Sequence, residues 1–269
     1  MSIILVVNDD GIYSPGILAL KRELEHLGEV FVVAPEEEKS GVGKALSCGR
    51  LVKLRRVGKS KGSRIYAVDG TPADAYFVAV HKILKRKPDL FVSGINLGPN
   101  IGIDDFFTSG TLGAAIEAAI HKVPAIAISY CVERFMEGDA NFLKEDTANL
   151  VKAAKIARKT AEYVLLNGMP NDVDIISINV PEKIDSLSFK ATTMSYKGFI
   201  NLYSRRIGGY IIRQWTLSSY LPDETGTDVN AIKKEGKVSV TPIKLRFLHN
   251  IDGIKNLIDF LDQGLKTET

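Results

Sequence analysis

The chain has 269 residues, 45% of them hydrophobic and 25% charged, with a formal net charge of +3. That length allows one large α/β domain or a core with an appended piece, and a charge so near zero gives no reason to expect a nucleic-acid polymer as partner. The two cysteines, Cys48 and Cys131, show no CxxC spacing or His partner, which argues against a thiolate metal site or disulfide framework, and no apolar run approaches the roughly 18 residues of a membrane span.

The N-terminus lacks a positively charged leader, so a soluble protein in a reducing cytoplasm is expected. Residues 3–7, Ile-Ile-Leu-Val-Val, form an unbroken apolar run that reads as a strand buried on both faces of a parallel sheet. It stops at Asn8, Asp9, Asp10 and Gly11. Ligands bind at the carboxyl ends of strands in open α/β sheets, so two adjacent acids there are either an accident or a cation site. At about 4 Å their repulsion is on the order of 1–4 kcal/mol, which a divalent ion would reverse. Successive strand residues point to opposite faces, so both acids reach one ion only where the chain bends, and Gly11 permits that bend.

Apolar Ile17, Leu20, Leu24 and Leu27 predict a helix stopped by Gly28, and Val30–Ala34 is the next buried strand. Strand, helix, strand is the opening unit of a Rossmann-like sheet. The first turn carries no GxGxxG, and bare carboxylates would repel a pyrophosphate, which disfavours a dinucleotide fold. A polar loop follows, Glu36 to Gly43, containing Ser40 and Gly41. Short strands are expected at 51–54 and 65–68 around a basic connection, Arg50 to Arg64, best read as a solvated hairpin rather than a funnel for phosphates.

Thr71-Pro72-Ala73-Asp74 is helix-starting chemistry, with Thr71 as N-cap, Pro72 at the first position and Asp74 reaching back as in a capping box. That helix should run to about Leu84, ahead of a strand over 89–93. A glycine-dense loop then spans Ser93 to Asp105. Ser109-Gly110-Thr111 opens a helix whose first turns have almost no bulk, which either packs tightly on the sheet or admits an anion to its N-terminal N–H groups. Further strands are expected at 124–129 and 174–179, with a long helix over 142–166 between them. Beyond Pro181 the chain becomes short, aromatic and β-like, before a last amphipathic helix over 251–265. The expected division is a catalytic core, 1–182, and a C-terminal elaboration, 183–269, used in oligomer contacts.

Asp9, Asp10, Ser40 and Asn96 are oxygen donors on loops at one edge of this sheet, a set that suits Mg²⁺ or Mn²⁺ rather than Zn²⁺. No His lies in these loops; His26, His81, His121 and His249 read as surface or core residues.

Asn8-Asp9-Asp10-Gly11, Ala34-Pro35 through Ser40-Gly41-Val42-Gly43, Asp69-Gly70-Thr71-Pro72-Ala73-Asp74, Ser93-Gly94-Ile95-Asn96, and Ser109-Gly110-Thr111 with Gly113-Ala114-Ala115 together resemble the survival protein SurE family. Any one is weak, but five in family order over the first half of the chain are specific. Tyr196-Lys197-Gly198, Gly226-Thr227-Asp228 and Val240-Thr241-Pro242 extend a weaker likeness. The resemblance implies a Rossmann-like core and one divalent ion per subunit, held by Asp9, Asp10, Ser40 and Asn96. It also implies hydrolysis of nucleoside 5′-monophosphates, with short polyphosphate as a further substrate of some members, and a homodimer or homotetramer built through the C-terminal region. Two departures stand out: Ala75 where the family commonly has Cys, and Thr108 where an aromatic often precedes Ser-Gly-Thr. Phe106 and Phe107 lie close enough to offer a stacking face for a base.

The mechanism so implied is metal-assisted phosphomonoester hydrolysis. Asn8, Gly41, Asn100, Ser109, Gly110 and Thr111 are the candidate phosphate or substrate contacts, and Asp9 or Asp10 is ligand, base or nucleophile. The rivals are a haloacid-dehalogenase-like aspartyl-phosphate enzyme, which Asp-Asp rather than Asp-x-Asp spacing disfavours, and a non-catalytic nucleotide-binding regulator.

Overall fold

The N-terminal apolar run lies mid-sheet with a layer of helices on either side, the place its two-faced hydrophobicity demands. In the computed structural model the described residues are 1–58, 64–132, 144–184, 186–212, 217–222, 224–246, 255–258 and 261. In chain order the strands are β1 (Ile3–Val7), β2 (Glu29–Pro35), β3 (Leu54–Arg56), β4 (Ile65–Val68), β5 (Leu90–Leu97), β6 (Ala125–Cys131), β7 (Ile175–Pro181), β8 (Phe189–Ala191), β9 (Tyr203–Arg206), β10 (Gly209–Ile212) and β11 (Val238–Ile243). The helices are α1 (Pro15–Leu24), α2 (Pro72–Val78, continued by a π-helical stretch, Ala79–Ile83), α3 (Gly102–Thr108), α4 (Gly110–Ile120), α5 (Lys144–Asn167) and α6 (Asp228–Lys233).

Nine strands form one sheet in the order β3-β4-β2-β1-β5-β6-β7-β11-β8. The run from β4 to β7 is parallel throughout, while β3 and β11 are antiparallel to their inner neighbours. Alternation along β1 divides the core: Ile4 and Val6 pack with Leu20 and Leu24 of α1 and with Ala153 and Ala157 of α5. Leu5 and Val7 face the other way, against Tyr76 of α2 and Leu112 and Ala115 of α4. Burying each of these aliphatic side chains is worth about 1.5–3 kcal/mol, so a one-residue slip of β1 is strongly disfavoured.

Several boundaries differ from the sequence expectations for identifiable reasons. α1 starts at Pro15, because Ser14 caps the Gly16 N–H, and ends at Leu24. The short strand expected at 51–54 lies at Leu54–Arg56. The glycine-dense stretch is only partly loop: β5 continues to Leu97, with its pairing to β6 slipping between Ser93 and Asn96, and α3 forms where none was expected. α3 has no side-chain cap of its own type, and tertiary partners supply what its sequence lacks. Part of the 183–269 region belongs to the main sheet, since β11 pairs with β7 and β8 with β11. The boundary expected at 182 is therefore not an edge of the sheet. β9 and β10 form a separate two-stranded hairpin. Residues 255–258 are helical, and most of the helix expected over 251–265 lies outside the described residues, as does the start of the helix expected from 142.

Candidate active site

Chain order reverses between β1 and β5, and the crevice at the carboxyl ends of such strands is where open α/β sheets bind ligands. Asn8, Asp9 and Asp10 leave β1 there, and Asn96, near the end of β5, lies beside them. Gly11 has φ +97°, in the left-handed region, so the chain turns directly after the acids. The turn is tied on both sides. Asn8 Nδ2 donates to Gly11 O at 3.0 Å, and the Lys39 N–H donates to Asp9 O at 2.7 Å, which draws the loop after β2 against the acidic turn.

Asp9 is 3% exposed. Its carboxylate accepts the Thr111 hydroxyl, and the backbone of Gly110 and Thr111 at the start of α4 favours its charged form. The start of α4 thus lies against the chain's own Asp9. Only glycine fits at 110: a Cβ there would stand 2.7 Å from Asp9 Cβ and 3.1 Å from Pro72 Cγ. Asn96 Nδ2 donates to Gly98 O at 2.9 Å, which turns its carbonyl oxygen inward, 3.5 Å from Thr111 Oγ1. One hydroxyl therefore gathers oxygens of Asp9 and Asn96. Asp10 accepts the Leu97 N–H at 3.2 Å, joining the same two strand ends. Ser40 is exposed, and its hydroxyl donates to Glu38 at 2.6 Å.

Burial pushes the Asp9 carboxyl above its ordinary range, opposed by the bond from Thr111. Burial, and then the charge of Asp9 beside it, pushes Asp10 well above that range. Two carboxylates desolvated together, with no ion pair to either among the described residues, form a site whose charge calls for a counter-ion. Asn8 Oδ1 is a further buried oxygen without a hydrogen-bond partner. A cavity of about 30 Å³ opens between Asp9, Ser40, Gly41, Asn96, Asn100, Asp105 and Ser109, with room for an ion or a water rather than a nucleotide. Among the described residues no cluster of three or more His, Cys, Asp or Glu side chains is placed to hold a metal. The donor set that fits is two carboxylates, an amide oxygen and a hydroxyl, which is hard-ion chemistry.

The six candidate phosphate contacts separate. Gly41, Asn100 and Ser109 line the cavity, whereas the Asn8 amide N–H is tied to the turn, the Thr111 hydroxyl to Asp9, and Gly110 packs against Asp9. The Asn100 amide also donates to Ser129 Oγ at 2.9 Å, and the Ser109 hydroxyl caps the Leu112 N–H at 3.1 Å. Asp105 in the cavity wall was not anticipated. Its signal was an acid four residues ahead of Ser109, where a loop was expected instead of α3. His26, His81 and His121 are exposed, and His249 lies outside the described residues. In the basic stretch Arg50 pairs with Asp69 at 3.0 Å, Arg55 with Glu36 at 2.5 Å and Arg64 with Glu29 at 2.6 Å, as a solvated hairpin requires; Lys59 and Lys61 lie outside the described residues.

The family model of the survival protein SurE matches residues 4–200. The chain belongs to the SurE family. It is 38% identical to the 5′-nucleotidase SurE of Archaeoglobus fulgidus over 256 residues, covering 93% of this chain and 94% of that one. It is 41% identical to the 5′-nucleotidase SurE of Methanothermobacter thermautotrophicus over 192 residues, covering 71% and 72%. The SurE crystal structure from Aquifex aeolicus superposes with a TM-score of 0.75 at 33% identity, covering 97% of this chain and 99% of that one. At the two departures from the SurE pattern, Ala75 is buried in the core between α2 and the sheet, and the Thr108 hydroxyl donates to Asp104 O at 2.7 Å. Phe106 is buried, so of the two neighbouring rings only Phe107, 58% exposed, is open to a ligand.

Proposed function

We propose that the chain is a divalent-metal-dependent 5′-nucleotidase that hydrolyses nucleoside 5′-monophosphates to nucleoside and phosphate. The observation that carries this reading is the meeting of Asp9, Asp10 and the Asn96 carbonyl at the switch point of the sheet. The 5′-nucleotidase SurE relatives support it. Asp9, Asp10, Asn96 and Ser40 would hold one Mg²⁺ or Mn²⁺, with Ser40 turning its hydroxyl from Glu38. A divalent ion at such a site supplies charge neutralisation for the phosphoryl group and lowers the cost of generating a nucleophile from water.

The remaining work falls to the chain. Asp9, anchored by the Thr111 hydroxyl against the start of α4, is the fixed ligand. Asp10, holding the Leu97 N–H, is the carboxylate that would accept a proton from the attacking water. Gly41 and the Ser109 cap line the approach for phosphate oxygens, and Phe107 offers a face to the base. The exposed hairpin β9–β10 supports a homodimer or homotetramer joined through the C-terminal region. No helix of the described residues is long and apolar enough to cross a membrane.

Phosphate release from AMP and GMP, measured with Mg²⁺, with Mn²⁺ and with chelator, tests the assignment. Activity should require the ion, and Asp10→Asn should lose at least about 100-fold, more than residues beyond the metal ligands usually cost. Metal-independent release, or an Asp10→Asn variant as active as wild type, would overturn it. Release from short polyphosphate in the same assay defines the substrate range.

A further inference from the structure

Most of the cavity wall comes from one segment, which lines it at residues 96–100, Asp105 and Ser109, and the C-terminal third of the chain holds that segment from behind. Tyr220 is 1% exposed, and its hydroxyl donates to Asp105 Oδ2, the oxygen that also accepts the Ile101 N–H at 2.9 Å. The neighbouring wall residues are held the same way. Asp228 Oδ2 accepts the Gly102 N–H at 2.9 Å, Ser195 O accepts the Ile103 N–H at 2.8 Å, and the Phe199 N–H donates to Asp104 Oδ2 at 2.7 Å. Tyr220, Val229 and Ile232 close a small apolar cluster with Ile101 and Cys131, which keeps water from these bonds. Asp105 lines the cavity with Asp9, Asn96 and Ser109, and its carbonyl accepts the Ser109 N–H at 2.8 Å. A hydroxyl 115 positions along the chain thus reaches a carboxylate whose own backbone sets the first residue before α4.

We propose that Tyr220 is a positioning residue for the hydrolysis: acting through Asp105, it fixes the 98–109 wall and with it the place where Asn96 and the start of α4 meet Asp9. Hydrogen bonds to buried carboxylates are stronger than neutral ones, and sites held loosely by their supporting shell lose rate before they lose fold. The inference rests on the nucleotidase reading above.

The test uses the full chain with AMP and Mn²⁺. Tyr220→Phe keeps the ring in its apolar cluster and removes only the hydroxyl. Its kcat should fall about tenfold with KM for AMP nearly unchanged, and the Mn²⁺ concentration for half-maximal rate should rise. Ile232→Val, in the same cluster, should lower the melting temperature and leave kcat per folded molecule as it was. A Tyr220→Phe enzyme with wild-type kcat and Mn²⁺ dependence, or one that differs only in melting temperature as Ile232→Val does, overturns the proposal. Should Tyr220→Phe fail to fold, Asp105→Asn carries the same comparison, and full kcat in that variant overturns it equally. Asp10→Asn in the same assay keeps the two readings apart: if it is inactive while Tyr220→Phe is unaffected, only the positioning role fails.

Discussion

Thr111 shows how much a single hydroxyl can organise. It is fully buried, donates to Asp9, and stands 3.5 Å from the Asn96 carbonyl, so it sets the spacing between two proposed ligands. Thr111→Val preserves the shape and removes the donor, leaving a buried carboxylate one bond short. The expected result is a loss of about 10- to 100-fold in kcat/KM and a weaker response to Mn²⁺, the usual scale for a residue that orients a metal ligand, measured by titrating activity with the metal. Asp9, Asp10 and Asn96 were legible in the sequence because each ends an apolar strand, and strand ends on one sheet edge converge. Thr111 was legible only as a member of a helix start. An open N-terminus invites a phosphate, and that Asp9 packs against it instead depends on how closely Gly110 lets the two elements approach, which no local pattern encodes.

At the scale of elements, α2 was read most completely. Its capping box is present as expected: the Asp74 N–H donates to Thr71 Oγ1 at 3.1 Å and the Thr71 N–H to Asp74 Oδ2 at 2.8 Å. The same carboxylate accepts the Ser47 N–H at 3.1 Å and its hydroxyl at 2.7 Å, so the cap also pins the loop after β2 that carries Ser40. Burial would raise the Asp74 carboxyl, but the bonds from Thr71 and Ser47 outweigh it and hold it below its ordinary value. A carboxyl depressed on folding contributes stability above its unfolded value of about 3.9, and that contribution is lost as pH falls through the lower folded value. Asp74→Asn should therefore reduce stability by about 0.5–2 kcal/mol at pH 7, with the gap to wild type closing below about pH 4. Urea midpoints at a series of pH values measure this, and a gap that persists at the lowest pH would contradict it. α3 was missed for the opposite reason. Its N-cap residue, Ile101, has no side chain to cap the first turn, and apart from the Asp105 carboxylate the partners that hold it, Asp228, Ser195 and Phe199, come from the far end of the chain.

At the scale of the molecule, the order of the strands follows from the repeated strand-helix-strand pattern as far as β7, because right-handed crossovers leave few alternatives. Beyond β7 the pattern gives out. The run at 238–242 reads as a strand, yet nothing in it says that it lies antiparallel against β7, or that β8 then joins on its outer side. The hairpin β9–β10 joins neither layer of the core. Tyr203 is 63% exposed, Tyr210 75% and Ile211 52%, a set of large apolar side chains that a monomer in water does not hold open without cost. We propose that Tyr203 of β9 and Tyr210 and Ile211 of β10 meet a second copy of the chain, since paired hairpins bury such faces symmetrically. Replacing Tyr210 and Ile211 with Asp should then lower the mass seen by light scattering coupled to size exclusion, by a factor of about two if this face joins one pair of subunits. The urea midpoint of the released subunit should stay close to wild type, because the charges sit away from the nine-stranded sheet and its two cores. A variant that keeps the wild-type mass would place the subunit contact elsewhere on the molecule.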